Sequence, residues 1–222
     1  MVFDYSWLIG GPQGSGVDTA ANIFSRVGTK LGYHVFGKRE YHSNIKGLHS
    51  YFVVRLSDNK IRSNVNGANI MVAFDAETMI RHGLSISKNG AIIYDSSIVN
   101  TSIDEIPTIE VDHRVRLDEF FKSKNMEPKV SSIIELAKES GVNVYPISFW
   151  DALSNIADEL KRPELSRMTR MFNVLGVSFS LGVLKAPITP LLESIEEIFS
   201  TKPTIADLNK KAANFAYNYA SA

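Results

Sequence analysis

The sequence contains no cysteine among its 222 residues. A chain without thiols forms no disulfide, offers no thiolate nucleophile and cannot ligate an iron–sulfur cluster of the usual all-cysteine kind. The sequence also lacks an excess of charge of either sign, because 24 lysines and arginines balance 24 aspartates and glutamates. This neutral total gives no reason to expect a nucleic-acid partner.

Membrane-directed segments are missing as well. The N-terminus shows no basic start followed by an apolar run, so we expect no signal peptide and a cytoplasmic location. The longest apolar stretch, MFNVLGVSFSLGVL at 171–184, is shorter than the ~20 residues that cross a bilayer. We interpret this stretch as a buried helix and expect no membrane partner.

The apolar residues, 44% of the chain, suffice for one real core, and their spacing indicates the fold class. Short apolar runs predict strands at 6–10, 33–37, 50–57, 69–75, 90–97 and 141–148. Helical periodicity predicts helices at 18–31, 76–84, 131–140 and 171–184. This alternation predicts an α/β fold with a mixed, largely parallel sheet sandwiched by helices, followed by a helical C-terminal third.

Three finer predictions concern turns and caps. A turn at Asp58-Asn59 would join the strand at 50–57 to 60–64 in a hairpin, which makes the sheet mixed. Thr189-Pro190 would supply the N-cap and first residue of one helix, and Thr204 with Asp207 would cap the last one. One face of that last helix would then carry Ile205, Leu208, Ala212 and Phe215.

A glycine loop at residues 10–16 joins the first predicted strand to the first predicted helix, within LIGGPQGSGVDTAANIF. Such a unit can hold a phosphate on backbone N–H groups at the helix N-terminus. A P-loop would need lysine and a hydroxyl residue where Val17 and Asp18 stand. The glycine order is also the reverse of the dinucleotide fingerprint, and no acid ends the second strand. Two interpretations stay open: an anion site, or a tight turn with a capped helix in which Asp18 is the N-cap or a first-turn acid.

A second polar segment, FGKREYHSNIKGLHSYF at 36–52, lies between two predicted strands. From position 38 to 62 there are six lysines and arginines against two acids, a clustering that predicts an anion site or a basic docking face. His42 and His49 lack a third ligand at a suitable spacing, so we predict no metal site. No Ser–His–acid spacing or placed carboxylate pair appears, so we assign no catalytic residue.

Together these two segments resemble the gamma domain of the 2-oxoacid:ferredoxin oxidoreductases, in the form that makes up the N-terminal part of a fused alpha subunit. DNKIRSNVNGANIMVAFDAET at 58–78 and the asparagine-containing run at 171–184 fit the same family. The resemblance covers most of residues 5–195. It departs from many relatives after Glu40, where YHSNIKG replaces an E-x-R-G-G-like turn.

The resemblance implies one part of a larger enzyme. The family converts a 2-oxoacid and coenzyme A to acyl-CoA and carbon dioxide, with electrons passing to ferredoxin. Thiamine diphosphate and [4Fe-4S] clusters would lie in alpha (pyrimidine-type) and beta partner subunits or domains, and this chain alone would be inactive. We expect a gamma domain at 1–195, followed at 196–222 by a helical tail that leads to a missing domain or ends a separate subunit.

The expected role of the chain is to help bind coenzyme A and to assemble the complex. Lysine and arginine side chains would bind the phosphates of coenzyme A, and backbone N–H groups of the glycine loop would donate hydrogen bonds to the same phosphates. The predicted binding residues are Gly11, Gly14, Ser15, Gly16, Lys38, Arg39, Asn44, Lys46 and Gly47. Two alternatives stay open: an oxidoreductase domain that binds a flavin or nicotinamide nucleotide, and a purely structural assembly subunit.

Overall fold

The computed structural model describes residues 3–12, 14–40, 49–159, 161–164 and 171–221. Its strands are β1 (Asp4–Gly11), β2 (His34–Glu40), β3 (Ser50–Ser57), β4 (Ala68–Ala73), β5 (Ile86–Asp95) and β6 (Asn143–Ile147). Its helices are α1 (Val17–Lys30), α2 (Ala76–His82), α3 (Val111–Ser123), α4 (Val130–Glu139), α5 (Phe149–Glu159), α6 (Phe172–Val183), α7 (Thr189–Ile198) and α8 (Pro203–Ser221). Short 3-10 turns cover Gly83–Ser85, Ser96–Ile98 and Ile103–Glu105.

The strands form one mixed sheet in the order β2-β3-β1-β4-β5-β6. The pairs β1–β4, β4–β5 and β5–β6 are parallel, whereas β3 runs antiparallel to both β1 and β2. The predicted α/β class with a mixed, largely parallel sheet is therefore confirmed. The α1 helix crosses from β1 to β2, and β3 then inserts between these two strands.

The predicted hairpin between 50–57 and 60–64 is wrong. Residues 60–64 form no strand. Both edges of β3 are already paired, one with β1 and the other with β2, so no edge is left for a hairpin partner. The segment after β3 is instead held by a hydrogen bond that Arg55 donates from Nη1 to the carbonyl oxygen of Ser63, at 2.8 Å.

Successive side chains of each strand point to opposite faces of the sheet. Both faces therefore carry apolar side chains, and helices cover both. Trp7 and Ile9 of β1 pack into a layer with α1, α5, α6, α7 and α8. Leu8, between them, packs into the opposite layer with α2, α4 and part of α3. The sandwich of helices that the alternation predicts is thus present in the described part of the chain.

The α6 helix is the centre of the first layer. All its residues from Phe172 to Gly182 are buried, which confirms the buried helix predicted at 171–184. Ala212, Ala213 and Ala216 of α8 are fully buried in the same core. Their small side chains allow α8 to pack closely along α6. None of the helices in the described ranges is both long and apolar enough to cross a membrane.

Details at the helix ends differ from the sequence predictions. The α7 helix has Ile188 as its N-cap, so Thr189 and Pro190 are its first two residues. The α8 helix begins at Pro203, which places Thr204 inside the first turn and excludes it as a cap. Its buried face consists of Ala206, Asn209, Ala212, Ala213 and Ala216. The predicted buried face of α8 is rotated relative to the observed one, because the prediction relied on the larger apolar residues. One of these, Ile205, is 37% exposed.

Candidate functional site

The glycine loop delivers the chain from β1 into α1. Gly14 and Gly16 both adopt the left-handed backbone conformation, each with φ of 86°, which glycine reaches without steric cost. The Ser15 N–H donates to the carbonyl oxygen of Pro12 at 3.1 Å, and its hydroxyl donates to the same oxygen at 2.6 Å. Ser15 therefore closes the turn. Because its N–H already donates to Pro12, this N–H is not available to bind a ligand.

The first turn of α1 has no side-chain cap. Gly16 is the N-cap residue and carries no side chain that could accept a hydrogen bond. Asp18 lies in the first turn, but its Oδ2 accepts a hydrogen bond from Arg39 Nη2 at 2.6 Å. Of the two predicted positions of Asp18, the first-turn acid is confirmed and the N-cap is wrong. Within the described part of the chain, the free N–H groups that begin α1 have no side-chain acceptor, and they carry the positive end of the helix dipole.

A cleft of about 570 Å³ opens in front of this helix end. We call it the α1 cleft. It is bounded by the glycine loop, the start of α1, the end of β2, the start of β3 and α6, and the connection from α7 into α8. Its lining residues are Pro12, Gly14, Gly16, Val17, Asp18, Thr19, Arg39, Glu40, Ser50, Tyr51, Met171, Asn173, Phe199, Lys202, Ile205 and Asn209.

Only part of the predicted binding set lines the α1 cleft. Gly14, Gly16 and Arg39 do so, which brings the glycine loop and the start of the second segment to one place. Gly11 lies in β1 against Phe74 and does not line the cleft. Asn44, Lys46 and Gly47, like His42, lie outside the described residues.

The predicted binding role of Lys38 is not supported by its position. Its ammonium group pairs with the carboxylate of Glu40, two residues along β2, and Lys38 does not line the α1 cleft. The hydrogen bond to Glu40 raises the pKa of Lys38, so the lysine stays charged but is engaged by its neighbour. In the described part of the chain, the cations that line the cleft are Arg39 and Lys202, and the carboxylates of Asp18 and Glu40 line it as well.

Two buried asparagines in the cleft wall escaped the sequence analysis as site residues. Asn173 and Asn209 are each 6% exposed and both line the α1 cleft. Asn173 Oδ1 accepts from the Val174 N–H at 2.5 Å, while Asn209 Nδ2 donates to the Ile205 carbonyl oxygen at 2.8 Å. A polar residue within an apolar helix was the available signal for Asn173.

Beside Tyr51, the buried His49 and the partly buried His82 form a pair. Their Nε2 atoms are 3.1 Å apart, so one ring donates to the other, and Tyr51 packs on both rings. Burial, together with the charge of His49 and Arg81, lowers the pKa of His82 to about 3. Within the described ranges, no group of three His, Cys, Asp or Glu residues could hold a metal ion.

The comparisons with known proteins identify the family. The profile of the family described as pyruvate ferredoxin/flavodoxin oxidoreductase matches residues 6–219, almost the whole chain. The chain belongs to the pyruvate ferredoxin/flavodoxin oxidoreductase family. This finding confirms the resemblance that the glycine loop and the second segment carry.

Relatives of this chain include the alpha subunit of 2-oxoacid:ferredoxin oxidoreductase 1 from Sulfurisphaera tokodaii. The two are 36% identical over 213 residues, which are 96% of this chain and 33% of that subunit. The chain therefore spans about a third of the length of the curated relatives that it matches.

Solved structures share the fold at lower identity. The 2-oxoglutarate:ferredoxin oxidoreductase of Magnetococcus marinus, solved with 2-oxoglutarate, coenzyme A and succinyl-CoA, matches with a TM-score of 0.67 and 19% identity, covering 98% of this chain and 31% of that one. The gamma subunit of the keto/oxoacid ferredoxin oxidoreductase from Geobacter sulfurreducens matches with a TM-score of 0.62 and 13% identity, covering 97% and 98%. These similarities establish that the chain shares its fold with both proteins.

Proposed function

We propose that this chain is the gamma-type part of a 2-oxoacid:ferredoxin oxidoreductase complex and that its α1 cleft binds the phosphates of coenzyme A. The complex would convert a 2-oxoacid and coenzyme A to acyl-CoA and carbon dioxide, with electrons passing to ferredoxin. Membership of the family supports this proposal, as does the similarity to alpha subunits of 2-oxoacid:ferredoxin oxidoreductases.

The observation that carries the proposal is the meeting of Arg39 and Lys202 with the uncapped N-terminus of α1 in one cleft. A helix N-terminus attracts anions through its N–H groups and its dipole. The arginine fork adds paired hydrogen bonds to phosphate, and lysine adds a point charge. The cleft volume, about 570 Å³, suits part of a ligand as long as coenzyme A.

The other cofactors of the reaction would be held by partners. A chain without cysteine cannot supply the thiolates that an all-cysteine [4Fe-4S] cluster requires, so these residues do not fit that group. We therefore place the clusters, and with them thiamine diphosphate, in alpha (pyrimidine-type) and beta subunits or domains. The gamma-type chain would contribute to assembly with them, in the cytoplasm, and would be inactive alone.

Calorimetric titration of the assembled complex with coenzyme A tests the binding role. We expect Arg39→Ala to weaken coenzyme A binding about tenfold or more, because a charge-assisted hydrogen bond contributes about 1.5–3 kcal/mol. The salt dependence of binding should fall as well. Arg26→Ala is the matched control, because Arg26 is an exposed arginine of α1 itself but pairs with Glu197 outside the cleft.

Unchanged coenzyme A affinity in Arg39→Ala would contradict the binding role. If the same variant instead weakened the capture of partner subunits, the α1 cleft would be a docking face, as the assembly alternative requires. Parallel titrations with a flavin nucleotide and with NAD test the remaining alternative, a nucleotide-binding oxidoreductase domain. Binding of either nucleotide by the isolated chain would support that alternative.

A further inference from the structure

The carboxamide of Asn173 has a fixed orientation in the wall of the α1 cleft. Its Oδ1 accepts from the Val174 N–H, and a backbone N–H can only donate, so the oxygen must face the helix. The Nδ2 group then points the other way, beside the glycine loop. A Cβ built on Gly16 would lie 3.0 Å from this nitrogen. Among the described residues, none accepts a hydrogen bond from Asn173 Nδ2.

The carboxamide of Asn209 is fixed in the opposite sense. Its Nδ2 donates to the Ile205 carbonyl oxygen, which can only accept, so the amide nitrogen must face that carbonyl. Oδ1 is left as an acceptor, and within the described ranges no group donates to it. Asn209 is a buried residue of α8 that lines the same cleft as Asn173.

Polar atoms in a cleft wall that have no protein partner are left to form hydrogen bonds with water or with a ligand. Here a directed donor and a directed acceptor, each on a side chain 6% exposed, line the cleft next to the start of α1. Apolar side chains of Met171, Phe199 and Ile205 line the same cleft. A site of this composition suits an uncharged organic group that carries both an acceptor and an N–H.

We propose that Asn173 and Asn209 are specificity-determining residues that bind a neutral donor–acceptor group of the ligand, with Asn173 donating and Asn209 accepting. This inference rests on the proposed binding of coenzyme A. Coenzyme A presents such a group in two places, the secondary amides of its pantetheine arm and the edge of its adenine. Inorganic phosphate, which offers no N–H donor, would meet only the charged part of the cleft.

The test uses the assembled complex and three probes: coenzyme A, pantetheine and ADP. Asn209→Leu removes the acceptor at nearly constant volume. Asn214→Leu is its matched control, since Asn214 makes the same kind of bond on α8, from Nδ2 to the Lys210 carbonyl oxygen at 2.9 Å, but lies outside the α1 cleft. We expect Asn209→Leu to weaken coenzyme A binding about tenfold and Asn214→Leu to change it less than about twofold. The KM for the 2-oxoacid should not move.

The variant Asn173→Asp keeps the acceptor for Val174 and replaces the donor by an oxygen. Pantetheine carries no phosphate, so a loss of its binding in this variant cannot come from charge repulsion of a phosphate. Selective loss of pantetheine binding would assign the pair to the amide arm, and selective loss of ADP binding in Asn209→Leu would assign it to adenine. Either result supports the inference.

Two outcomes separate this inference from the proposed function. If folded Asn173→Asp and Asn209→Leu complexes bind all three probes as the unmodified complex does, the carboxamide inference is overturned. Retained sensitivity of coenzyme A binding to Arg39→Ala would then leave the proposed function standing. Should the Asn209→Leu complex fail to assemble, pantetheine binding by the Asn173→Asp complex tests the inference by itself. The isosteric change from asparagine to aspartate keeps the hydrogen bond from the Val174 N–H.

Discussion

Arg39, near the end of β2, forms an ion pair with Asp18 in the first turn of α1, with 2.6 Å between Nη2 and Oδ2. Their side chains are 47% and 56% exposed. An ion pair this exposed contributes little to stability, since water and salt screen it. Both residues line the α1 cleft, so the pair places one attractive and one repulsive charge beside any anion that enters.

The two members of this pair should therefore have opposite effects on coenzyme A binding. Arg39→Ala removes a phosphate donor and should weaken binding, whereas Asp18→Asn removes the repulsive carboxylate and should strengthen it several-fold. Titration of the assembled complex at low and high salt measures both changes. Glu197→Gln weakens the surface ion pairs of Glu197 with Arg26 and Lys30, which lie outside the cleft, and should leave the affinity unchanged. If Asp18→Asn and Arg39→Ala weaken binding alike, the pair is only a structural contact.

Gly14 and Gly16 should respond differently to alanine, although they share a φ of 86°. A Cβ on Gly14 would meet no atom within 4 Å, so Gly14→Ala should cost only the left-handed penalty of about 1–2 kcal/mol. A Cβ on Gly16 would approach Asn173 Cβ and Nδ2 at 3.0 Å. Urea unfolding should show a larger loss of stability for Gly16→Ala, accompanied by weaker coenzyme A binding. Equal losses for both variants would argue against the close approach of Asn173.

Ser180 and Ser178 of α6 provide a matched test of the core. Both are fully buried, and each hydroxyl donates to the carbonyl oxygen four residues earlier, at 2.7 Å. Only Ser180 also accepts the indole N–H of Trp7, at 2.9 Å. Ser180→Ala should therefore destabilise the chain by about 1–3 kcal/mol more than Ser178→Ala, because it leaves a buried donor unsatisfied. Denaturant unfolding followed by tryptophan fluorescence measures the difference, and similar values for both variants would contradict it.

The pair of His49 and His82 predicts a pH dependence of stability. Burial lowers the pKa of His82 from 6.5 to about 3, so the unfolded state binds more protons between these values. Stability should fall as the pH drops below 6.5, by up to about 1.4 kcal/mol per pH unit for this group. Above pH 6.5 the contribution of His82 should be constant.

His82→Gln keeps a hydrogen-bonding side chain beside His49 but removes the titrating group. Chemical denaturation at pH 7.5 and pH 5 should show a smaller loss for this variant than for the unmodified chain. The neighbouring charges of Arg81 and Glu77 stay the same in both proteins, so their contribution cancels. An identical pH dependence in the two proteins would show that His82 is protonated in the folded state.

The sequence predicted those parts of the fold that depend on local pattern. Apolar runs located the strands and the buried α6, and the alternation of strand and helix gave the fold class. It missed α3, whose side chains are mostly polar and of which only Phe121 is fully buried. The strand pairing of β3 was predicted wrongly. A local hairpin competes with pairing to β1 and β2, which are distant in sequence, and the packing that decides between them cannot be read from a short stretch of sequence.

The candidate site was predictable only where its residues are close in sequence. The glycine loop and Arg39 were found from their own segments. Asn209 and Lys202 come from the far end of the chain, and only the packing of α8 on α6 brings them to α1. The hydrogen-bond partners of Ser15 and Asp18 were missed for a different reason: each side chain has several possible partners, and the folded backbone selects one.

A structure of the assembled complex with coenzyme A bound tests the central claim most directly. We predict a coenzyme A phosphate in the α1 cleft, within hydrogen-bonding distance of the first-turn N–H groups of α1 and of the Arg39 guanidinium. Coenzyme A bound with all its phosphates on partner subunits, and with Arg39 still paired to Asp18 in an unfilled cleft, would contradict it.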